Sequence, residues 1–141
     1  NRAWTDFVPD FSKGLSAAYR RETVAEMEAG RPDAEKALGK LEDAIKAERG
    51  NDGPYFNGDT LCLVDAAYAP FFQRFMIAEE RLNTGLLDGF PLVKAWCKAL
   101  LASELVTGSV ADSFVPEFKA SMKRYGYHIG NLFEQEAVAA E

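Results

Sequence analysis

The stretch from Leu63 to Leu82 constrains this chain more than any other. It opens on the apolar run Leu61 to Val64, is apolar almost all round at first, and follows a dense cluster of turn formers, Gly50-Asn51-Asp52-Gly53-Pro54. A segment with helical spacing and no polar face at its start has to sit in the middle of a fold, covered by other elements. Pro70 predicts a kink after its second turn. The sequence on either side supplies the covering elements, and all of them read as helices.

Upstream, Trp4, Phe7, Val8, Phe11, Leu15, Ala18 and Tyr19 recur at helical spacing and lay one broad apolar stripe, interrupted by Pro9 and weakened by Gly14. The pattern predicts a first helix ending at Gly30, with Pro32 at the first position of a second. In that second helix, Pro32 to Arg49, the apolar positions are Ala34, Ala37, Leu38, Leu41, Ala44 and Ile45. Asp33 and Glu35 would fall in its first turn and Lys46 and Arg49 in its last, each pair complementing the helix dipole, and Gly50 would stop it. Tyr55-Phe56-Asn57-Gly58-Asp59 reads as a fixed loop anchored by two aromatics. Downstream, Gly85 to Phe90 reads as a turn, and Pro91 opens a fourth helix carrying Leu92, Val93, Trp96, Leu100 and Leu101. Val110, Phe114, Val115, Phe118, Met122 and Tyr125 mark a fifth, with Pro116 near its start. Residues 131–141 read as a C-terminal tail or weak helix. No Val- and Ile-rich alternating segment appears, so the expected class is all-α, a bundle of about five to six helices in one domain over residues 1–130.

Composition narrows the function classes. The 141 residues suit one domain with its own core, and a net charge of -6 opposes the basic surface that nucleic acid or anionic lipid requires. No apolar run approaches the roughly 18 to 20 residues that span a bilayer. Cys62 and Cys97 form no C-x-x-C pair and read as two thiols, and a single histidine excludes a multi-histidine metal site. The chain starts at Asn1 already inside an amphipathic pattern, which predicts that it is part of something longer.

Two stretches carry a family resemblance. Gly53-Pro54-Tyr55-Phe56-Asn57-Gly58-Asp59-Thr60-Leu61-Cys62-Leu63-Val64-Asp65-Ala66-Ala67 resembles the segment of glutathione transferase C-terminal domains in which an aromatic-x-Gly-Asp turn leads into a Ser/Thr-x-x-Asp capping box. Phe90-Pro91-Leu92-Val93-Lys94-Ala95-Trp96 is similar to that family's aromatic-Pro-x-x-x-x-Trp helix, and Ser109-Val110 resembles the opening of the last helix in its omega-like bacterial branch. Asp65 takes the back-reaching role of the box. Cys62 stands where the family has a hydroxyl, a weaker acceptor whose cost is about 1 kcal/mol by comparison with other cap deletions.

The resemblance implies a helical domain whose partner, an N-terminal thioredoxin-like domain absent from this chain, holds glutathione and activates its thiol. This chain then carries no catalytic residue. It contributes the wall of an apolar electrophile pocket, from Trp4, Phe7 and Phe11 on the first helix and Tyr125, Tyr127 and His128 near the end, together with homodimer contacts in a cytoplasmic detoxification enzyme. Aromatic side chains suit flat apolar electrophiles. The same residues also fit plain core for the helical stripe and surface for His128, and Arg20 and Arg21 fit either an anion site or a solvated face. A non-catalytic protein-interaction module of the same fold is the alternative.

Overall fold

A computed structural model describes residues 2–49, 53–108 and 112–139. The elements are α1 (Arg2–Asp6), α2 (Val8–Ser16), α3 (Val24–Glu48), α4 (Leu63–Leu82), a 3-10 turn at Leu86–Gly89, α5 (Pro91–Ala102), α6 (Glu104–Thr107), α7 (Phe114–Arg124) and α8 (His128–Ala139). Among the described residues there is no named strand, only one bridge pairing Tyr55 with Gly58. The fold is all-α, divided more finely than its apolar pattern suggests because the first stripe breaks at Phe7 and short segments flank α5.

The α2–α3 connection corrects the sequence reading. No boundary falls at Gly30 and Pro32: α3 starts at Val24 and runs through Pro32 to Glu48. The start is set by the N-cap Thr23, whose hydroxyl accepts from the Glu26 amide at 3.1 Å and donates to the Glu26 carboxylate at 3.0 Å. Asp33 and Glu35 are therefore mid-helix, not first-turn, residues. Gly30 serves packing. A Cβ there would lie 1.9 Å from the Ala17 carbonyl oxygen, so only glycine lets the end of α2 pass this close. Gly50 to Asp52 and Ser109 to Ala111 lie outside the described residues, and with them the expected stop of the second helix and the Ser109-Val110 opening.

α4 is the central element, packed against α1, α2, α5 and α8. Its N-terminus is fixed from two directions. Asp65, with no exposed surface, accepts from the Cys62 amide at 2.7 Å through Oδ2, and from the Phe56 amide at 2.9 Å and the Trp96 indole at 2.7 Å through Oδ1. Cys62 occupies the N-cap in extended conformation, and its sulfur accepts from the Asn57 side-chain amide at 3.3 Å. One carboxylate thus joins the 53–60 loop, the start of α4 and the middle of α5. Around the indole of Trp96 pack Phe56, Tyr68 and Phe72, with ring centroids 5.3 to 5.4 Å away.

α5 has no side-chain cap of its own. Glu42 reaches across from α3 and accepts from the amides of Leu92 at 3.1 Å and Val93 at 2.9 Å, the orphan donors of a helix that begins with Pro91. Glu79 closes the next connection in the same way, accepting from the amides of Thr84 at 2.9 Å and Gly85 at 3.0 Å. Residues 131–139 continue α8, whose Ile129, Gly130 and Phe133 are buried, so the boundary drawn at residue 130 falls inside a packed helix. A Cβ at Gly130 would meet the backbone of Met122 and Lys123 at 2.5 Å, which explains how closely α8 crosses α7.

Two sets of substitutions test these statements by urea unfolding. Asp65→Ala strands three donors, two on buried groups, and is expected to cost about 3–5 kcal/mol, whereas Trp96→Phe removes one donor and costs about 1–3 kcal/mol. Cys62→Ser restores a hydroxyl acceptor and is expected to gain about 0.5–1 kcal/mol. Gly30→Ala should destabilise by about 2–3 kcal/mol through overpacking. In the same helix Gly39→Ala, whose Cβ would meet only Phe90 at 3.7 Å, should gain about 0.5–1 kcal/mol.

Candidate functional site

The apolar stripe of α2 ends on Tyr19, and the next two residues are arginines. The chain turns here toward α3, which leaves Tyr19 buried, its hydroxyl accepting from Arg20 Nε at 3.1 Å. α4 adds Arg74 from its partly exposed side, held by a hydrogen bond from Nη1 to the Pro70 carbonyl at 3.0 Å. α7 adds rings: the Arg74 guanidinium lies 5.3 Å from the Phe114 centroid, and that of Arg20 lies 5.9 Å from Phe118 and 5.5 Å from Tyr19 itself. Phe114 and Phe118 stack at 6.4 Å. The α7–α8 turn brings Tyr127 within electrostatic reach of the Tyr19 hydroxyl. The junction of α2, α4 and α7 therefore holds a buried phenol, two guanidiniums and half-buried aromatic rings.

Burial pushes the Tyr19 phenol up, against the pull of Arg20 and Arg74, so it stays protonated and neutral near neutrality. Phe71 on α4 is also partly exposed and approaches Phe11 at 6.4 Å. The residues named at this junction include no thiol, carboxylate or histidine that could act as nucleophile or base. The junction can bind; its own chemistry is limited to orienting what it binds.

The six residues predicted to line a pocket do not form one site. Phe11 is fully buried against Tyr68 and Phe72 and belongs to the core, because the helical stripe turns that position straight onto α4. Trp4 and Phe7 pack on each other at 5.6 Å; Trp4 leans on Phe56, its carbonyl accepting from the Tyr68 hydroxyl at 2.5 Å, and Phe7 receives the Lys40 ammonium of α3 on its ring. Phe7 thereby borders a charged groove between α2 and α3. Tyr127 joins the arginine cluster, and exposed Tyr125 stacks on it at 5.7 Å. His128 starts α8, its amide donating to the Arg21 carbonyl at 2.8 Å, and it lines a separate cavity of about 390 Å³ with Met27, Arg31, Arg81 and Leu132. Cys62 stands at the N-cap of α4 and its amide donates to Asp65. Arg74, Phe71 and Phe114 went unnoticed as site residues because their roles depend on which side of α4 and α7 stays uncovered.

Among the described residues no group of three or more His, Cys, Asp and Glu is placed to hold a metal ion, and no helix is long and apolar enough to cross a membrane. Cys97 lies buried in the core on α5.

Residues 24–99 match the family described as glutathione S-transferase, C-terminal domain. The chain is 30% identical over 104 residues to glutathione S-transferase L1 of Arabidopsis thaliana, an alignment covering 73% of this chain and 40% of that protein. It is 34% identical over 107 residues to the chloroplastic glutathione S-transferase L2 of the same plant, covering 75% of this chain and 33% of the relative. The chain thus spans well under half the length of these two relatives.

The buried hydroxyls and thiol set a pH dependence. Burial pushes Cys97 up to about 12 from a usual 9.0, and raises Tyr68 and Tyr19 above the ordinary tyrosine value of 10.0. The unfolded chain loses these protons first, so their contribution is intact below about pH 9 and declines as pH rises toward about 12. Urea midpoints measured between about pH 8 and about pH 11 are expected to fall steadily across that window, and Cys97 should resist thiol reagents until the chain unfolds.

Proposed function

This chain belongs to the glutathione S-transferase C-terminal domain family, and we propose that it forms the electrophile-binding wall of a glutathione transferase whose thioredoxin-like domain binds glutathione and activates the thiol. The observation that carries the reading is that aromatic rings on α4, α7 and the α7–α8 turn, Phe71, Phe114 and Tyr127, are left half-buried. These rings are partly exposed apolar surface for a flat substrate, and none of them is a nucleophile. Such a surface complements a thiolate supplied from elsewhere, and conjugation or reduction then proceeds on the other domain. In this reading Trp4 and Phe7 hold the first helices in place, and the pocket wall shifts to α4 and α7.

Homodimer contacts and a cytoplasmic, detoxifying role are parts of the same proposal, as is placement in the omega-like branch. An exposed Leu63, 83% accessible at the first turn of α4, and half-exposed Val115 support apolar contact with another domain or subunit. They equally favour the second reading, a non-catalytic interaction module, which predicts partner binding without turnover.

Steady-state kinetics on the full-length protein separates the two. Phe114→Ala is expected to raise KM for an aromatic halide electrophile about 5- to 20-fold while leaving KM for glutathione within about twofold. A full-length protein with no glutathione-dependent turnover of any aromatic halide, disulfide or peroxide tried overturns the enzyme reading in favour of the module. Light scattering is expected to find this chain by itself self-associating, with Leu63→Ser shifting it toward monomer.

A further inference from the structure

We propose that the groove between α2 and α3 binds a short polyphosphate group, as carried by a nucleoside triphosphate or by inorganic polyphosphate. The groove encloses about 300 Å³; Lys13 and Arg21 line it from α2 and the turn that follows, Lys36 and Lys40 from α3. None of these four cations forms an ion pair among the described residues, although Asp10 and Asp33 line the same groove. Other cations also lack an acid, Arg74, Lys98 and Arg124 among them; what sets these four apart is that they share one groove. The cations exceed the groove's two carboxylates by two, in a chain whose net charge is -6. Lys36 and Lys40 are a like-charge pair four residues apart on one helix, an arrangement that a helix disfavours. Four positive charges around one groove repel each other, and a bound anion relieves that repulsion.

Small residues bring the two helices together beneath these charges. Gly14, Ala17 and Ala37 line the groove, and a Cβ at Gly14 would lie 3.1 Å from both the Ala37 Cβ and the Asp33 carbonyl oxygen. Lys36 and Lys40 stand about 6 Å apart along the axis of α3, so they meet neighbouring phosphates of a chain rather than one. Arg21 is turned by its Nη1 bond to the Arg20 carbonyl at 2.8 Å, and the Lys40 ammonium sits 5.5 Å from the Phe7 ring centroid. A lysine ammonium is a compact point charge that takes a phosphate from many directions, whereas planar carboxylates favour the arginine fork. Three lysines to one arginine therefore suit phosphate. Asp10 and Asp33 oppose a singly charged anion, so a ligand gains from this groove only by bringing several charges. The acidic chain as a whole repels a long polyanion such as nucleic acid, which limits the occupant to a short one. None of the groove's residues belongs to the aromatic wall of Phe71, Phe114 and Tyr127, so polyphosphate binding does not require transferase activity.

Isothermal titration calorimetry on the full-length protein, without glutathione or divalent cations, compares orthophosphate, tripolyphosphate and ATP. Tripolyphosphate is expected to bind at least about tenfold tighter than orthophosphate, and Lys13→Gln or Lys36→Gln to weaken it about 3- to 10-fold, with Lys36→Arg within about twofold of the native affinity. ATP binding tighter than tripolyphosphate assigns the groove to nucleotides, with the base beside Phe7; equal or weaker binding assigns it to the bare polyphosphate chain. Lys13 and Lys36 are exposed, so neither substitution touches the core, and circular dichroism checks the fold. On the native protein, raising ionic strength about tenfold should weaken tripolyphosphate severalfold, and saturating glutathione should leave it within about twofold. Equal affinity for orthophosphate and tripolyphosphate, an affinity that neither glutamine substitution moves, salt-independent binding, or loss of binding under saturating glutathione overturns the proposal.

Discussion

Asp65 is a carboxylate with no exposed surface, and three amide and indole donors from three separate parts of the chain bond to it. A buried carboxylate is costly unless such donors surround it, and removing either side leaves the other stranded. The loop before α4, the start of α4 and the middle of α5 are therefore locked into one arrangement. Everything on α4 downstream takes its rotational setting from that lock. Val64, Tyr68, Phe72 and Phe75 face the core, while Phe71 and Arg74 stay half exposed.

Remote carboxylates complete the frame. Glu42 caps α5 from α3, and Glu79 folds the turn after α4 onto that helix. Charge-assisted bonds of this kind are stronger than neutral ones and directional, so they fix helix ends where the side chains of the ends themselves supply no acceptor. The packing between helices depends on close approach instead. At Gly30, between α2 and α3, and Gly130, between α7 and α8, a single Cβ would push backbone away from backbone. Helix ends and crossings set where α4 and α7 bring Arg74 against Phe114 and Arg20 against Phe118.

The junction also separates binding from reaction. Its phenol is pushed up by burial and its cations are guanidiniums, which do not exchange protons near neutrality. A surface of that kind positions a ligand without competing for the protons of the chemistry.

Much of the fold was legible in the sequence. The 3.6-residue spacing of Leu63 to Leu82, the Pro91 start of α5, and the three-residue spacing of Cys62 and Asp65 are local patterns, and local hydrogen bonding carries them directly into helices and caps. Gly30 and Pro32 misled because breakers signal a boundary only when no tertiary contact demands them; here Ala17 required a glycine, and the Thr23 N-cap started the helix earlier. The candidate site was legible only in part. Tyr127 and Arg20 could be picked out by type, but Phe11 and Arg74 could not be sorted by sequence, since the same helical stripe serves core and surface. By itself the sequence determined that the chain is helical and where α4 and α5 start, because those choices involve neighbours within four residues. Only the tertiary structure decided which faces are covered and which arginines are left without an acid, because both depend on residues far apart in the chain brought together by packing.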